Sequence, residues 1–266
     1  MTASKPVLWQ IRISHYSEKA RWALAYKGVE HEGRAPPPGV HMLVALALTR
    51  GKHKTFPLLQ LDGETVGDST AIIEALERRY PEPPLYPEDR EQRRRALELE
   101  DWFDEELGPH IRLLVWHEAT RDREQLAEAV APDIPRPLRR LRGAGAATAR
   151  YASTFAGLRY SVRSPEAAQL ARGKVLAALD RLEAELDGNE YLVGDRFSVA
   201  DLTAAALFYP LVFPPEGPMR LEPPEGYERF RAPLADRPGY RWVEEMFRRH
   251  RRPESAPAAV ELGAST

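Results

Sequence analysis

The apolar pattern changes period several times in the first part of the chain. VLWQI (Val7–Ile11) is a short apolar run of strand character. Ser17–Lys27 is rich in helix formers and stops at Gly28, an ordinary C-terminal signal. VEHEGRA predicts a second strand closed by PPPG, and HMLVALALTR a helix stopped by Gly51. TFPLLQLDGETVGDS reads as two strands joined at Asp62-Gly63, a strong hairpin dipeptide. STAIIEALERRY then sets Ile72, Ile73, Leu76 and Tyr80 on one side of a helix. The predicted order is βαβαββα. PEPPLYPEDR follows, and its prolines make it a stiff, extended linker.

Beyond the linker the period is helical. Leu99, Phe103, Leu107, Ile111, Leu114 and Val115 recur every three to four positions over residues 88–118, with a kink expected at Gly108-Pro109. Helical patterns also cover residues 138–163 and 165–187, the stretch RFSVADLTAAALFYPLV, and Pro238–Arg249. RRPESAPAAVELGAST is expected to be a disordered tail. The division is therefore 1–82, an α/β domain; 83–90, a linker; 91–250, an all-helical domain; and 251–266, the tail.

Composition narrows the chemistry. With 266 residues, 43% hydrophobic, and a net charge of -2, two domains with real cores are expected and a nucleic-acid partner is not. No cysteine is present, which removes disulfides, thiolate-bound zinc and thiol chemistry by the protein itself. MTASKPVLWQ lacks the apolar segment of a signal peptide, and no apolar run is long enough for a membrane span, so a cytoplasmic protein is expected.

Several short motifs carry both a structural and a functional meaning. Pro57 inside a strand-like run suits an edge strand, or a cis Phe56–Pro57 bond turning the backbone toward a ligand. Asp68 and Ser69 begin a helix and can simply cap it. The same free N–H groups and positive dipole end also attract a carboxylate, while Asp68 could meet an ammonium. Ser198 and Asp201 form a capping box, with Phe197 and Leu202 at the staple positions, and carry no chemistry. Ser14 and Ser17 in ISHYSEKARWAL can each cap; either hydroxyl could instead hydrogen-bond a bound thiolate and lower its thiol pKa. His110 and His117 share a helix face with Glu106, but seven residues separate the rings by roughly 10 Å along the axis. They suit a groove lining better than a metal site, and no metal is expected. Arg136, Arg139, Arg140 and Arg142 read as a solvated face.

Taken together, the βαβαββα order, TFPLL, GDSTAII, the Pro-rich linker and FSVADLTAAAL after YLVGDR resemble the cytosolic glutathione transferases, over residues 5–215. That resemblance implies a thioredoxin-like α/β N-terminal domain that binds glutathione as co-substrate, an all-α C-terminal domain that shapes the acceptor pocket, and a homodimer. It makes Pro57 the cis-proline, pairs the Phe56 backbone with the cysteinyl part of glutathione, and gives the γ-glutamyl end to Asp68 and Ser69. Lys54 or His53 is the candidate for the glycyl carboxylate, in a loop, RGKHKTF, that departs from the commoner pattern.

The family register, seven positions back from Arg21, puts Ser14 at the place of the catalytic Ser or Cys. Relatives with a similar motif often carry Cys where this chain has Ser17, and Tyr16 is a third candidate. Mixed-disulfide chemistry at these positions is excluded. Conjugation to a hydrophobic electrophile is the first expectation; a glutathione-dependent isomerase or lyase, or a non-catalytic scaffold, are the alternatives. The segments 131–164 and 213–240 are longer than the family usually shows and are expected to alter the acceptor pocket. Trp102, Phe103, His110, Trp116, Tyr151 and Phe155 are its candidate walls.

Overall fold

The structure, a computed structural model, describes residues 5–36, 40–131, 134, 140, 143–160, 162–218 and 222–251, without the side chains of 123, 125, 129, 130, 155 and 158–160. The first domain runs β1 (Val7–Trp9), α1 (His15–Tyr26), β2 (Glu32–Arg34), α2 (Val40–Leu48), β3 (Leu58–Leu61), β4 (Glu64–Gly67) and α3 (Ser69–Arg79). The sheet order is β2-β1-β3-β4, with β1 parallel to β2 and antiparallel to β3, and β3 antiparallel to β4. Leu8 pairs with Leu59 across β1 and β3, and both are fully buried beneath α1 and α3. The hairpin between β3 and β4 turns at Asp62 and Gly63, both at positive φ (50° and 86°), the backbone that makes Asp-Gly a favoured pair there.

The helical domain contains α4 (Arg90–Glu106), α5 (Gly108–Ala119), α6 (Arg123–Val130), α7 (Ala144–Tyr160), α8 (Pro165–Leu186), α9 (Val199–Val212), α10 (Glu225–Arg231), a 3-10 turn (Ala232–Leu234) and α11 (Pro238–His250). The long helix expected over 88–118 is two helices broken at Leu107, because Pro109 at the start of α5 has no N–H to continue the ladder. The helix expected over 138–163 is α7, and α6 precedes it. The segment 213–240 holds α10 and the 3-10 turn. Arg251, the first residue of the expected tail, is instead buried and paired with Glu18; Arg136, Arg139, Arg142 and the residues after Arg251 lie outside the described residues.

Every residue of α9 is buried, as a helix apolar on all sides requires. It lies against α1, α4, α5 and α11, so one apolar core runs through both domains. Trp22 of α1 stacks on Phe197 and tilts against Phe247 of α11. The capping box forms as expected: Asp201 Oδ2 accepts the Ser198 N–H at 2.9 Å, and Oδ1 accepts the Leu192 N–H at 2.7 Å. No described helix is long and apolar enough to cross a membrane.

Candidate functional site

A cleft of about 650 Å³ opens between the domains, with the β1–α1 turn, the Phe56–Pro57 loop, the start of α3 and the facing sides of α4, α5 and α7 as its walls. Its base is set by the turn after β1. Ser14 is extended (φ -80°, ψ 126°) and caps α1, so the helix begins two residues earlier than its composition suggests. The two serines brace each other's surroundings in different ways. Ser14 Oγ accepts the Ser17 N–H at 3.3 Å, while Ser17 Oγ accepts the Ile11 N–H at 3.2 Å.

The consequences for chemistry are unequal. Ser14 lines the cleft, and because its oxygen is an acceptor toward Ser17, its hydroxyl proton can be donated into the cleft. Ser17 has no exposed surface and lies outside the lining. Its position one turn into the helix points it back under the turn it stabilises.

Tyr16 lines the cleft, but its hydroxyl is committed to the Asp104 carbonyl at 2.9 Å. Burial pushes the phenol pKa up, Arg112 opposes, and the Asp104 and Asp68 carboxylates reinforce, so the phenol stays neutral. Arg112 lies over the Tyr16 ring, 5.7 Å from its centroid. His15 is buried beside it, and burial, then the Arg112 charge, push its pKa down to about 3 against a backbone hydrogen bond with Gly108. It is a neutral imidazole at any physiological pH.

On the opposite wall the Phe56–Pro57 bond is cis, and both residues line the cleft. Asp68 sits at positive φ (77°) and caps α3 by accepting the Thr70 N–H at 2.9 Å; Ser69 follows, almost fully buried, with its side in the cleft. His53 lines the cleft with its ring laid across Gly67, where an added Cβ would come within 2.5 Å of the ring. Lys54, the neighbouring candidate, is exposed and lies outside the lining.

Beneath α3 lies a buried ionic node. Lys19 Nζ, with no exposed surface, donates to Asp104 Oδ2 at 2.5 Å, Glu100 Oε1 at 2.8 Å and Thr70 Oγ1 at 2.9 Å. It joins α1, α3 and α4, and so locks the start of α3 against the helical domain. A buried cation is tolerable here because it meets two carboxylates and a hydroxyl together.

The acceptor wall is partly as expected. Trp116 and Tyr151 line it, with Val115, Ala152 and Pro210. Trp102 and Phe103 do not. In α4 the cleft-facing residues are Asp101, Asp104 and Glu105, and at 100° per residue Trp102 and Phe103 turn away. Phe103 is fully buried against Phe208, and Trp102 lies against Phe103 and under Arg181. His110 also lies outside the lining, and His117 Nδ1 donates to the Val162 carbonyl at 2.6 Å within the core. The Phe155 side chain lies outside the described residues. Arg112, Asp104 and Thr70 were not singled out by sequence. Asp101, Asp104 and Glu105 do share one helix face by spacing, but spacing cannot say what that face looks onto.

Comparison with known proteins places this geometry. A family model described as glutathione S-transferase, N-terminal domain, matches residues 8–84, and one described as glutathione S-transferase, C-terminal domain, matches residues 165–232. Maleylacetoacetate isomerase of Dictyostelium discoideum is 32% identical over 116 residues, covering 41% of this chain and 51% of that protein. The Rattus norvegicus maleylacetoacetate isomerase is 34% identical over 112 residues, 41% of this chain and 52% of that protein. The chain thus spans about half the length of the curated relatives it matches. In fold it is similar to the beta-etherase LigF of Sphingobium sp. (TM-score 0.59, 22% identity, 91% of this chain and 99% of that one). It is similar also to a theta class glutathione S-transferase of Xanthomonas axonopodis pv. citri with glutathione bound (TM-score 0.56, 22% identity, 90% and 97%).

Proposed function

The chain belongs to the glutathione S-transferase family, and from that premise we propose that it binds glutathione in the interdomain cleft and uses Ser14 to stabilise the thiolate for attack on an electrophile. The observation that carries this is the meeting of Ser14, Pro57, Asp68, Ser69 and His53 in one cleft, although they come from three separate segments. Phe56 and Pro57 hold the peptide part. Ser69 and the N-terminal N–H groups of α3 take the γ-glutamyl carboxylate, and the exposed Asp68 takes the ammonium. His53, rather than the outlying Lys54, faces the glycyl end. Trp116, Tyr151 and Val115 give the electrophile an apolar wall.

Lowering a thiol pKa by two units requires about 2.7 kcal/mol. A hydrogen bond to a charged group contributes about 1.5–3 kcal/mol, so the Ser14 hydroxyl supplies much of it alone. In the Ser14→Ala variant, the thiolate absorbance of bound glutathione is expected to titrate at least about one unit higher. An unchanged midpoint together with unchanged activity would remove Ser14 from the reaction. No calorimetric heat with millimolar glutathione would leave a scaffold with this fold.

A second reading rests on the names of the relatives, which are maleylacetoacetate isomerases. There the thiolate adds and is later expelled, so glutathione is regenerated; in conjugation it is consumed. Free-thiol titration during turnover of maleylacetoacetate separates the two. Assembly as a homodimer belongs to the same proposal and is tested by sedimentation.

A further inference from the structure

The turn that carries Ser14 is held from beneath by charges that the proposed reaction does not use. Glu18 of α1 has no exposed surface, and its two carboxylate oxygens go to different guanidiniums. Arg21 donates from Nε to Oε2 at 2.7 Å, and Arg251 from Nε to Oε1 at 2.5 Å. Burial works against the charge on Glu18, but the Arg21 and Arg251 cations hold its carboxyl below the usual range.

Arg21 then reaches past Glu18 into the turn. Its Nη1 donates to Gln10 Oε1 at 2.6 Å and its Nη2 to the Arg12 carbonyl at 3.0 Å. The Tyr209 hydroxyl of α9 donates to the next carbonyl, that of Ile13. The two backbone carbonyls that immediately precede Ser14 are therefore both fixed by buried side chains. Arg251 arrives from the far end of the chain, just after α11, only 7% exposed. It is seated there by the Trp22 indole, which donates to the His250 carbonyl at 3.1 Å.

The guanidinium has a fixed fork of donors. With Arg251 in place, Glu18 needs only the Nε edge of Arg21, and the Nη groups stay on Gln10 and Arg12. Without Arg251, Glu18 Oε1 is left buried without that donor. The favoured remedy is a two-bond pairing with Arg21, which draws an Nη group away from the turn.

We propose that Arg251 is a positioning residue for Ser14, acting through Glu18 and Arg21, so that the C-terminal end of the helical domain sets the geometry of the thiol-binding turn. The link to thiol chemistry rests on the function proposed above, whereas the link to the turn does not.

The test uses the full chain with Arg251→Met, and Met246→Ala as a control that weakens the same helix from its fully buried apolar face. Amide exchange is read at Ile11, Ser14 and Ser17, whose N–H groups are bonded within the turn. Arg251→Met should speed exchange there about tenfold more than the control does at matched global stability. It should also raise the pKa of bound glutathione by about one unit, with partial recovery in Arg251→Lys. Equal exchange in the two variants overturns the proposal. If the unaltered protein gives no thiolate signal with glutathione, the proposed function fails, and exchange still decides whether Arg251 positions the turn. Should Arg251→Met not fold, Glu18→Gln, which removes the shared charge, is read in the same way.

Discussion

Gly108 leaves the space that the Tyr16 hydroxyl fills: a Cβ added at Gly108 would sit 2.1 Å from that oxygen. The relationship crosses the domain boundary, because Tyr16 belongs to α1 and Gly108 opens α5. It lets the phenol reach the Asp104 carbonyl. Gly108→Ala is expected to destabilise the protein by about 1–3 kcal/mol, the usual range for overpacking. In a Tyr16→Ala background the same substitution should cost clearly less. Urea denaturation of the four members of that cycle measures the difference, and strict additivity would contradict the contact.

Ser17→Ala is expected to read out in stability. It removes the acceptor of the Ile11 N–H in a fully buried place, which costs about 1–3 kcal/mol. Glutathione should still bind, and the direct loss of thiolate stabilisation should be confined to Ser14→Ala. Denaturation midpoints and glutathione calorimetry on both variants check this pair of outcomes.

Lys19→Met should be among the most damaging single changes. It leaves Glu100 and Asp104 facing each other without their cation, and breaking a buried pair in this way costs about 3–5 kcal/mol. Burial already raises the Glu100 pKa, against the pull of Lys19. Losing the cation raises it further, so the penalty should be larger at neutral than at acid pH. Stability measured at both pH values shows whether the deficit shrinks on acidification.

His15 should make the fold acid-sensitive. Its pKa is pushed down to about 3 by burial and by Arg112, whereas an unfolded histidine titrates near ~6.5. Between those values the unfolded chain binds the extra proton. The contribution of His15 is therefore whole above about pH 6.5 and is lost as pH falls toward 3, at up to about 1.4 kcal/mol per pH unit. His15→Gln should flatten the stability profile across that window, and parallel profiles for the two proteins would contradict the assignment.

Much of the framework was legible before any tertiary contact was known. The Asp62-Gly63 turn, the stop at Gly28, the capping box at Ser198 and the break before Pro109 all depend on neighbours in sequence, through φ preference, orphan N–H groups and a missing donor. So did the placing of Asp68 and Ser69 at a helix start. The combination of these with Pro57 was enough to indicate the family, the α/β first domain and the helical second one.

Which side chains meet in the cleft was decided elsewhere. Local sequence left Ser14 and Ser17 equivalent as caps, and only the packing of α1 against the sheet and α9 buries Ser17 and turns Ser14 outward. Aromatic character suggested Trp102 and Phe103 for the acceptor wall, yet burial against Phe208 claimed one and Arg181 covers the other. The reverse holds for Arg112 and Asp104, which no motif singled out, and for Arg251, which the sequence assigned to a disordered tail and which is instead buried against Glu18. Periodicity reports which residues share a helix face. It does not report which element covers that face, because that choice is made by long-range packing between segments as distant as α1 and the end of α11.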